Sequence, residues 1–313
     1  MKIKIQPISN CTLSAAAEQF IRQCKIKNLS PHSISDYQSK LKILTDFYGD
    51  NPISTFSLDT LNEFTYWLKT TRQLNDISIN SYLRTARAFL YFCMERGIMD
   101  SFKVRLPKAD EALKETYSHH ELTILLKHPD RKNSTFAEYR DWAAVNLLLG
   151  TGCRISTAVN ILIGDLDFDN GVITLQKTKN RKKQVIPMGT TLQTVLKEYL
   201  LIRGGTSEDY VICTQYGEKL AVHSLQSSIK RYNHHRGIER TSLHAFRHSF
   251  ARDWILNGGD VFRLQRIMGH ADISTTKQYV QLYGADLAKD YDKYNALDRL
   301  SQTHNSHQRI TLH

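Results

Sequence analysis

The 313-residue sequence lacks the features of a disulfide-stapled, zinc-binding or membrane-spanning protein. Its five cysteines are an odd number without C-x-x-C pairing, which argues against a disulfide framework and a cysteine-rich metal site. The N-terminal MKIKIQPISN has no apolar signal segment, and no run approaches the roughly 18 apolar residues of a membrane helix. We therefore expect reduced thiols, a cytoplasmic protein and no membrane partner.

The sequence also has no internal repeat and no low-complexity tract, and acidic residues are in deficit. Its length predicts two domains, at about 150 residues per domain. The 42 Lys and Arg residues outnumber 31 Asp and Glu, which gives a net charge of +11. This excess is spread along the chain and favours a polyanionic partner, although a basic protein without such a partner would have the same composition.

The first hundred residues have the pattern of four amphipathic helices. The first begins after Thr12, and the second begins at Ser30-Pro31, a capping serine followed by a proline in the first turn. Apolar residues at helical spacing recur in 58–68 and in 79–93. Four such helices can enclose one small core, with or without a binding function.

The sequence predicts a mainly α fold with a small β-sheet or hairpin in the second domain. A capping box at Ser118 and Glu121 marks the start of that domain. Strands are predicted at 166–168, 172–175, 184–188 and, as a fourth candidate, 210–213. The predicted divisions are a helical domain at 11–100, a linker at 101–115, a second domain at 116–300 and a polar tail at 301–313.

The run LHAFRHSFA contains the first cluster of residues suited to chemistry. His244, Arg247 and His248 have the spacing that brings side chains to one helical face, where they can converge on one anion. Arginine holds two oxygens of a phosphate at once, and clamps of this kind stabilise the charge that builds up in phosphoryl transfer without requiring a metal. The two histidines could instead be half of a metal site, but no matching acidic cluster accompanies them.

A second arginine follows a glycine-rich break. Residues 142–149 have the composition of a buried helix, Gly150 and Gly152 are predicted to end it, and Arg154 opens the next helix. The N-terminus of a helix favours an anion through its N–H groups and dipole. The alternative for Arg154 is a structural ion pair.

A basic hairpin is predicted between these two arginines. The segment VITLQKTKNRKKQVIPM, residues 172–188, has two alternating apolar runs around a polar turn. Its basic residues are Lys177, Lys179, Arg181, Lys182 and Lys183. They could provide a proton donor or phosphate contacts, or they could form only a solvated tip.

Together with MGH at 268–270 and TTKQY ending at Tyr279, these fragments resemble the tyrosine recombinases, also called the phage integrase family, with its Xer-type and mobile-element integrases. The resemblance extends over roughly residues 13–300. The residues that match the family's catalytic signature are Arg154, Lys179, His244, Arg247, His270 and Tyr279. Spacing back from the Val-Ile-Pro that closes the hairpin favours Lys179, and Lys177 is the alternative because hairpin length varies.

One position departs from the family pattern. An acidic residue often stands three positions after the first arginine, and this chain has Thr157 there. Tyr279 is one of 15 tyrosines, and a core aromatic is the alternative to a nucleophile.

The resemblance implies that Tyr279 attacks a scissile phosphate and forms a 3′-phosphotyrosyl link. Arg154 and Arg247 would neutralise the phosphate oxygens, and Lys179 would protonate the leaving 5′-hydroxyl. His244 would be the general acid/base for the tyrosine hydroxyl.

His270 would hydrogen-bond the phosphate. Neither a cofactor nor a metal is implied.

The resemblance further implies a two-domain clamp around double-stranded DNA and a site-specific recombinase that integrates, excises or resolves a mobile element or replicon. Simple core sites are expected, bound by a homotetramer, with a monomer in free solution. Besides the hairpin residues Lys177, Arg181, Lys182 and Lys183, the candidate DNA contacts are Arg84, Arg87, Lys103 and Arg105. A segment at 287–300 with helical apolar spacing would dock on a neighbouring protomer or pack on its own. The alternatives are a DNA-binding or architectural protein of the same fold and a type IB topoisomerase-like relaxase.

Overall fold

Helices form most of the chain, and a single small sheet accompanies them. The computed structural model describes residues 11–108, 115–130, 132–176, 183–270 and 272–283. The chain divides into two compact units, Met1–Ala112 and Leu113–His313. Within the described residues, no helix is long and apolar enough to cross a membrane. The predicted class, mainly α with a small sheet, is confirmed.

The first unit contains the four predicted helices. They are α1 (Leu13–Ile26), α2 (Pro31–Tyr48), α3 (Leu58–Thr70) and α4 (Asp76–Glu95). The Thr12 and Ser30 side chains accept hydrogen bonds from the N–H groups of Ala15 and Ser33, so α1 and α2 begin where the sequence supplies a cap.

The core of the first unit continues past the predicted end of the domain. Val104 is buried in the same apolar cluster as Phe20 and Phe89, whose rings meet edge to face at 5.9 Å. The Val104 N–H donates to the Tyr91 hydroxyl at 3.3 Å. Part of the segment that was predicted to be a linker therefore packs on the helices of this unit.

The first helix of the second unit begins with the predicted capping box of Ser118 and Glu121. Its helices are α5 (His119–Leu125), α6 (Phe136–Thr151), α7 (Ile155–Ala158), α8 (Thr190–Arg203), α9 (Val222–His235), α10 (Leu243–Leu256), α11 (Val261–Met268) and α12 (Ser274–Tyr283). Its strands are β1 (Leu166–Asp167), β2 (Val172–Leu175) and β3 (Gln184–Pro187).

The three strands form one antiparallel sheet in the order β1-β2-β3. The predicted hairpin is present, with Val172 opposite Pro187 and Leu175 opposite Gln184. Its tip, 177–182, lies outside the described residues, and so do the segment 287–300 and the tail 301–313.

The fourth candidate strand at 210–213 was wrong. Tyr210 and Cys213 make only isolated bridges, to Leu162 and Lys219 respectively. Val211 and Ile212 are both fully buried, so the run packs into the core from an irregular segment. A short apolar run does not by itself distinguish a strand from other buried backbone.

Gly150 does not break α6, contrary to the prediction, because the helix continues through Thr151. A Cβ on Gly150 would lie 3.3 Å from the Leu192 side chain, so this glycine permits close packing of α8 on α6. Gly152 does end the helix, in the left-handed conformation with φ +60°.

The residue Tyr117, which lies shortly before α5, packs against helix α10 and hydrogen-bonds to it. The fully buried Tyr117 stacks on Phe246 of α10 with ring centroids 4.3 Å apart. Its N–H donates to the Ser249 hydroxyl at 2.8 Å, and its carbonyl accepts from Arg252 Nη1 at 2.8 Å. Both contacts fix the position of α10, which carries the predicted His-x-x-Arg pair.

We expect Tyr117→Ala to lower the free energy of unfolding by about 3–5 kcal/mol, because the variant leaves a cavity against Phe246. Urea denaturation followed by tryptophan fluorescence measures the change. Tyr216→Ala is the control, since Tyr216 is 80% exposed, and it should change stability by less than about 0.5 kcal/mol. Equal effects of the two substitutions would contradict the proposed anchoring.

Candidate active site

Helix α10 brings together the three polar residues predicted to share a face. Arg247 is buried, His248 is half-buried and His244 is exposed. The two histidine rings lie one turn apart, with centroids separated by 6.4 Å. In the described part of the chain, no group of three His, Cys, Asp or Glu side chains is placed to hold a metal ion.

The Arg247 guanidinium connects three segments of the second unit. Its Nη1 donates to the carbonyl of Gly152 at 2.5 Å, and its Nη2 donates to the carbonyl of Met268 at 2.8 Å. The same Nη2 lies 2.7 Å from His270 Nε2. Arg247 therefore ties the end of α6 and the end of α11 to α10, and its remaining N–H groups can face an anion.

The site is electropositive. Burial, followed by the nearby Arg154, lowers the pKa of Arg247 to about 10, so it stays charged at neutral pH. Burial also lowers the pKa of Arg154. Although part of the His244 side chain is exposed, partial desolvation of the ring, followed by the charges of Arg247 and Arg154, lowers its pKa and favours its neutral form. No carboxylate pairs with either arginine among the described residues, so the cluster lacks a counter-charge.

Arg154 occupies the N-cap position of α7, directly after the break at Gly152. Its side chain is half-buried, and it makes no hydrogen bond or ion pair with the residues that the structure describes. Thr157, in the place of the family's acidic residue, is buried and donates its N–H to the Arg154 carbonyl at 2.8 Å. Since α7 is a single turn, its dipole adds little, and the guanidinium itself is the main attraction for an anion.

Tyr279 belongs to the core and to the site at the same time. Its ring is 2% exposed and packs with Leu264 and Met268 of α11. The ring is parallel to that of His270, at 3° with centroids 6.4 Å apart. The hydroxyl nevertheless lies 2.7 Å from His248 Nδ1. Tyr279 is therefore more than a core aromatic, because its hydroxyl contacts a polar side chain of α10, that of His248.

His270 is oriented from both ring nitrogens. Arginine can only donate, so His270 Nε2 must accept from Arg247. The proton of the neutral ring then resides on Nδ1, which donates to the Thr276 hydroxyl at 2.8 Å. In this arrangement His270 positions Arg247 and presents no N–H from Nε2 to a phosphate.

Two residues that sequence reasoning missed support the site. Thr276 is fully buried and fixes His270, and it stands in the TTKQY segment, where it was given no role. Gln184 of β3 donates through Nε2 to the carbonyls of Arg266 and Ile267, the latter at 3.0 Å. These bonds join the hairpin to the end of α11.

Only some of the other predicted site residues lie within the described part of the chain. Lys177, Lys179, Arg181 and Lys182 lie outside the described residues, while Lys183, next to β3, is exposed. In the first unit Arg84 is exposed and Arg87 half-buried on α4. Lys103 and Arg105 are exposed and line a groove of about 510 Å³ along α3.

We expect Gly152→Ala to destabilise the protein by about 2–4 kcal/mol. Its φ of +60° disfavours any Cβ, and the added methyl would overlap the Phe250 ring. Gly217→Ala is the matched control, because φ is +82° there but nothing lies within 4 Å of the new Cβ; its cost should be about 1–2 kcal/mol. Equal losses of unfolding free energy in urea titrations would show that Phe250 can move aside.

We also expect neutral His270 to carry its proton on Nδ1. Nitrogen-15 NMR of histidine-labelled protein distinguishes the two tautomers, and Thr276→Val should broaden or shift the His270 signals by removing the acceptor hydroxyl. A resonance pattern with the proton on Nε2 would exclude the Arg247 contact described above.

Comparison with known sequences covers both units. Residues 115–285 match the phage integrase family, and residues 12–109 match the phage integrase SAM-like domain. The tyrosine recombinase XerD of Listeria monocytogenes is 30% identical over 228 residues, which cover 70% of this chain and 76% of the relative. XerD of Oceanobacillus iheyensis is 28% identical over 299 residues, covering 90% and 99%.

Comparison with solved structures finds the same fold. A lambda integrase tetramer bound to a Holliday junction matches with a TM-score of 0.71 and 17% identity, covering 89% of this chain and 81% of the integrase. The Tn1549 transposon integrase in complex with a circular intermediate DNA matches with a TM-score of 0.69 and 20% identity, covering 84% and 94%. With the matched family domains, these findings establish that the chain belongs to the phage integrase family, the tyrosine recombinases, and is a site-specific DNA recombinase.

Proposed function

We propose that this recombinase cleaves DNA by attack of Tyr279 on a scissile phosphate, with a 3′-phosphotyrosyl intermediate and no metal. The observation that carries the proposal is the position of the Tyr279 hydroxyl. It lies 2.7 Å from His248 Nδ1, and His248 stands on the same helix as Arg247. The covalent step divides one displacement into two and conserves the energy of the phosphodiester for rejoining.

The two arginines would supply most of the electrostatic stabilisation. Burial and mutual repulsion already lower the pKa of Arg247, and Arg154 is desolvated beside it. A phosphate bound between them would remove that repulsion, and the charge that builds up in the transition state would be stabilised further. The lack of a carboxylate partner among the described residues supports an anionic substrate as the missing counter-charge.

The roles proposed for the two other histidines follow from the exposure of His244 and from the hydrogen bonds that the His270 side chain already makes. His244 is exposed and its lowered pKa favours the neutral ring, so we propose that it hydrogen-bonds the phosphate. His270 would hold Arg247 in place, and its contact with Thr276 supports this. Lys179, with Lys177 as the alternative, would protonate the leaving 5′-oxygen.

We propose double-stranded DNA core sites as the substrate and a homotetramer as the active assembly. Solved relatives support this: one is a lambda integrase dimer bound to a core site, and another is a tetramer bound to a Holliday junction. In the first unit, the exposed Arg84, Lys103 and Arg105 are suited to phosphate contacts that fix the register of DNA. With Arg87 and the basic hairpin, they would make binding strongly salt-dependent.

We further propose that 11–108 acts as the DNA-binding domain and 116–300 as the catalytic domain. The first range extends the sequence-based domain by the segment that packs on its core. The reaction direction, whether integration, excision or resolution, would depend on the DNA sites presented to the same chemistry.

We expect the wild-type protein to become covalently attached to fragmented source DNA, and Tyr279→Phe to bind DNA without attachment. Removing the phenolic oxygen removes the nucleophile but leaves the ring packing. The samples are denatured in detergent, and the DNA still linked to protein is recovered and sequenced. Tyr216→Phe, at a tyrosine that is 80% exposed, is the control and should attach like wild type.

Attachment that survives in Tyr279→Phe would assign the nucleophile to another residue. Binding by the wild type without any attachment would favour a DNA-binding or architectural role. Relaxation of supercoiled DNA without strand exchange would favour topoisomerase-like activity.

A further inference from the structure

The hydroxyl of an attacking tyrosine must lose its proton. The ordinary pKa of tyrosine, about 10, leaves the group protonated at neutral pH. A proton acceptor for it has to lie within hydrogen-bond reach, about 2.6–3.2 Å between heavy atoms. The matched family signature offers His244 for this role, but the structure brings a different histidine to the oxygen.

That histidine is His248. Its Nδ1 lies 2.7 Å from the Tyr279 hydroxyl, with ring centroids 5.7 Å apart. The contact is made between α10 and α12, which pack against one another. His244 lies one turn earlier on α10, is exposed, and has the field of both arginines as its main electrostatic influence.

The tautomer of His248 decides which group donates in this contact, because a phenol can both donate and accept. When the ring proton resides on Nε2, Nδ1 accepts from the Tyr279 hydroxyl. In that tautomer the lone pair of His248 is aimed at the proton that has to leave. The His248 ring is half-buried.

We propose that His248 is the proton acceptor for Tyr279, an inference that rests on the proposed function and adds a catalytic residue to it. In cleavage, a lone pair of the Tyr279 oxygen forms the bond to phosphorus while the phenolic proton moves to His248 Nδ1. The bond from phosphorus to the 5′-oxygen breaks, its electron pair leaves with that oxygen, and Lys179 supplies the proton. In rejoining, the 5′-hydroxyl attacks and returns its proton to Lys179, and the departing tyrosinate takes its proton back from His248.

The surrounding charges make this proton transfer depend on whether a phosphate is bound. The charged or titratable groups near the Tyr279 hydroxyl and the His248 ring include Arg154 and Arg247, which interact electrostatically with Tyr279, and the neighbouring His244 and His270. The two guanidinium charges oppose a further positive charge on His248. A bound phosphate offsets them, so proton transfer to His248 becomes more favourable when a target for Tyr279 is in place.

The test is single-turnover formation of the covalent complex by His248→Asn, using a DNA site captured with the wild-type protein. Asparagine keeps a polar atom near the tyrosine oxygen but cannot take its proton. A second DNA carries sulfur in place of the bridging 5′-oxygen, so its leaving group needs no proton donor. We expect His248→Asn to lower the rate at neutral pH by about 10²–10³-fold on both DNAs, because the acceptor acts on the nucleophile.

The pH profile separates proton transfer from positioning. The wild-type rate should rise with pH and level off once His248 is neutral, whereas the His248→Asn rate should keep rising towards the tyrosine's own pKa, about 10. Imidazole added to His248→Ala should restore attachment in proportion to its concentration, which tests the same step in a second variant.

His234→Asn is the matched control, since His234 is exposed on α9 and has only a backbone contact among the described residues. Two outcomes would overturn the proposal. One is attachment by His248→Asn at a rate within about threefold of the wild type. The other is slower attachment with an unchanged pH profile and no rescue by imidazole in His248→Ala. The same profile change in His244→Asn alone would assign the role to His244. Failure of the wild type to attach at all would instead contradict the proposed function.

Discussion

The buried guanidinium of Arg247 is the interaction on which the site depends. It donates to the carbonyl of Gly152 at the end of α6, and to the Met268 carbonyl and His270 at the end of α11, so these two segments are held at fixed distances from α10. A buried cation without a carboxylate partner is costly, and among the described residues Arg247 has only carbonyl dipoles in place of a counter-ion. The resulting deficit of negative charge is what a DNA phosphate can fill.

The tyrosine is positioned by packing as much as by polar contacts. Tyr279 packs with apolar residues of α11, its ring is parallel to that of His270, and its hydroxyl reaches His248. Thr276 orients His270, which in turn orients Arg247, so the nucleophile and the phosphate clamp share one support. A change in the placement of α12 would therefore alter both together.

The helices of the first unit, the capping box and the hairpin could be predicted because their signals are local. Thr12, Ser30 and Ser118 cap helices within three residues of themselves, and alternation along β2 and β3 fixes their pairing. The residues that match the family signature could be singled out because each stands in a short recognisable segment, and their catalytic roles stay predictions. Lys179 lies outside the described residues.

The contacts between those segments could not be predicted from local patterns. His248 and Tyr279 are 31 residues apart, and nothing near either one specifies which of two histidines on one helical face meets the hydroxyl. The strand predicted at 210–213 was wrong because tertiary burial of Val211 and Ile212 produces the same apolar run as a strand. Gly150 was misassigned for a similar reason, since its role depends on the distant Leu192.

Mass spectrometry of the DNA-linked protein would locate the chemistry in the molecule. After nuclease and trypsin digestion, cleavage at Lys277 and Lys289 yields one peptide, 278–289, that contains both Tyr279 and Tyr283. We expect a nucleotide joined through its 3′-phosphate to Tyr279 alone. A nucleotide on Tyr283 or elsewhere, or one joined through a 5′-phosphate, would contradict attack by Tyr279 at the cluster around Arg247.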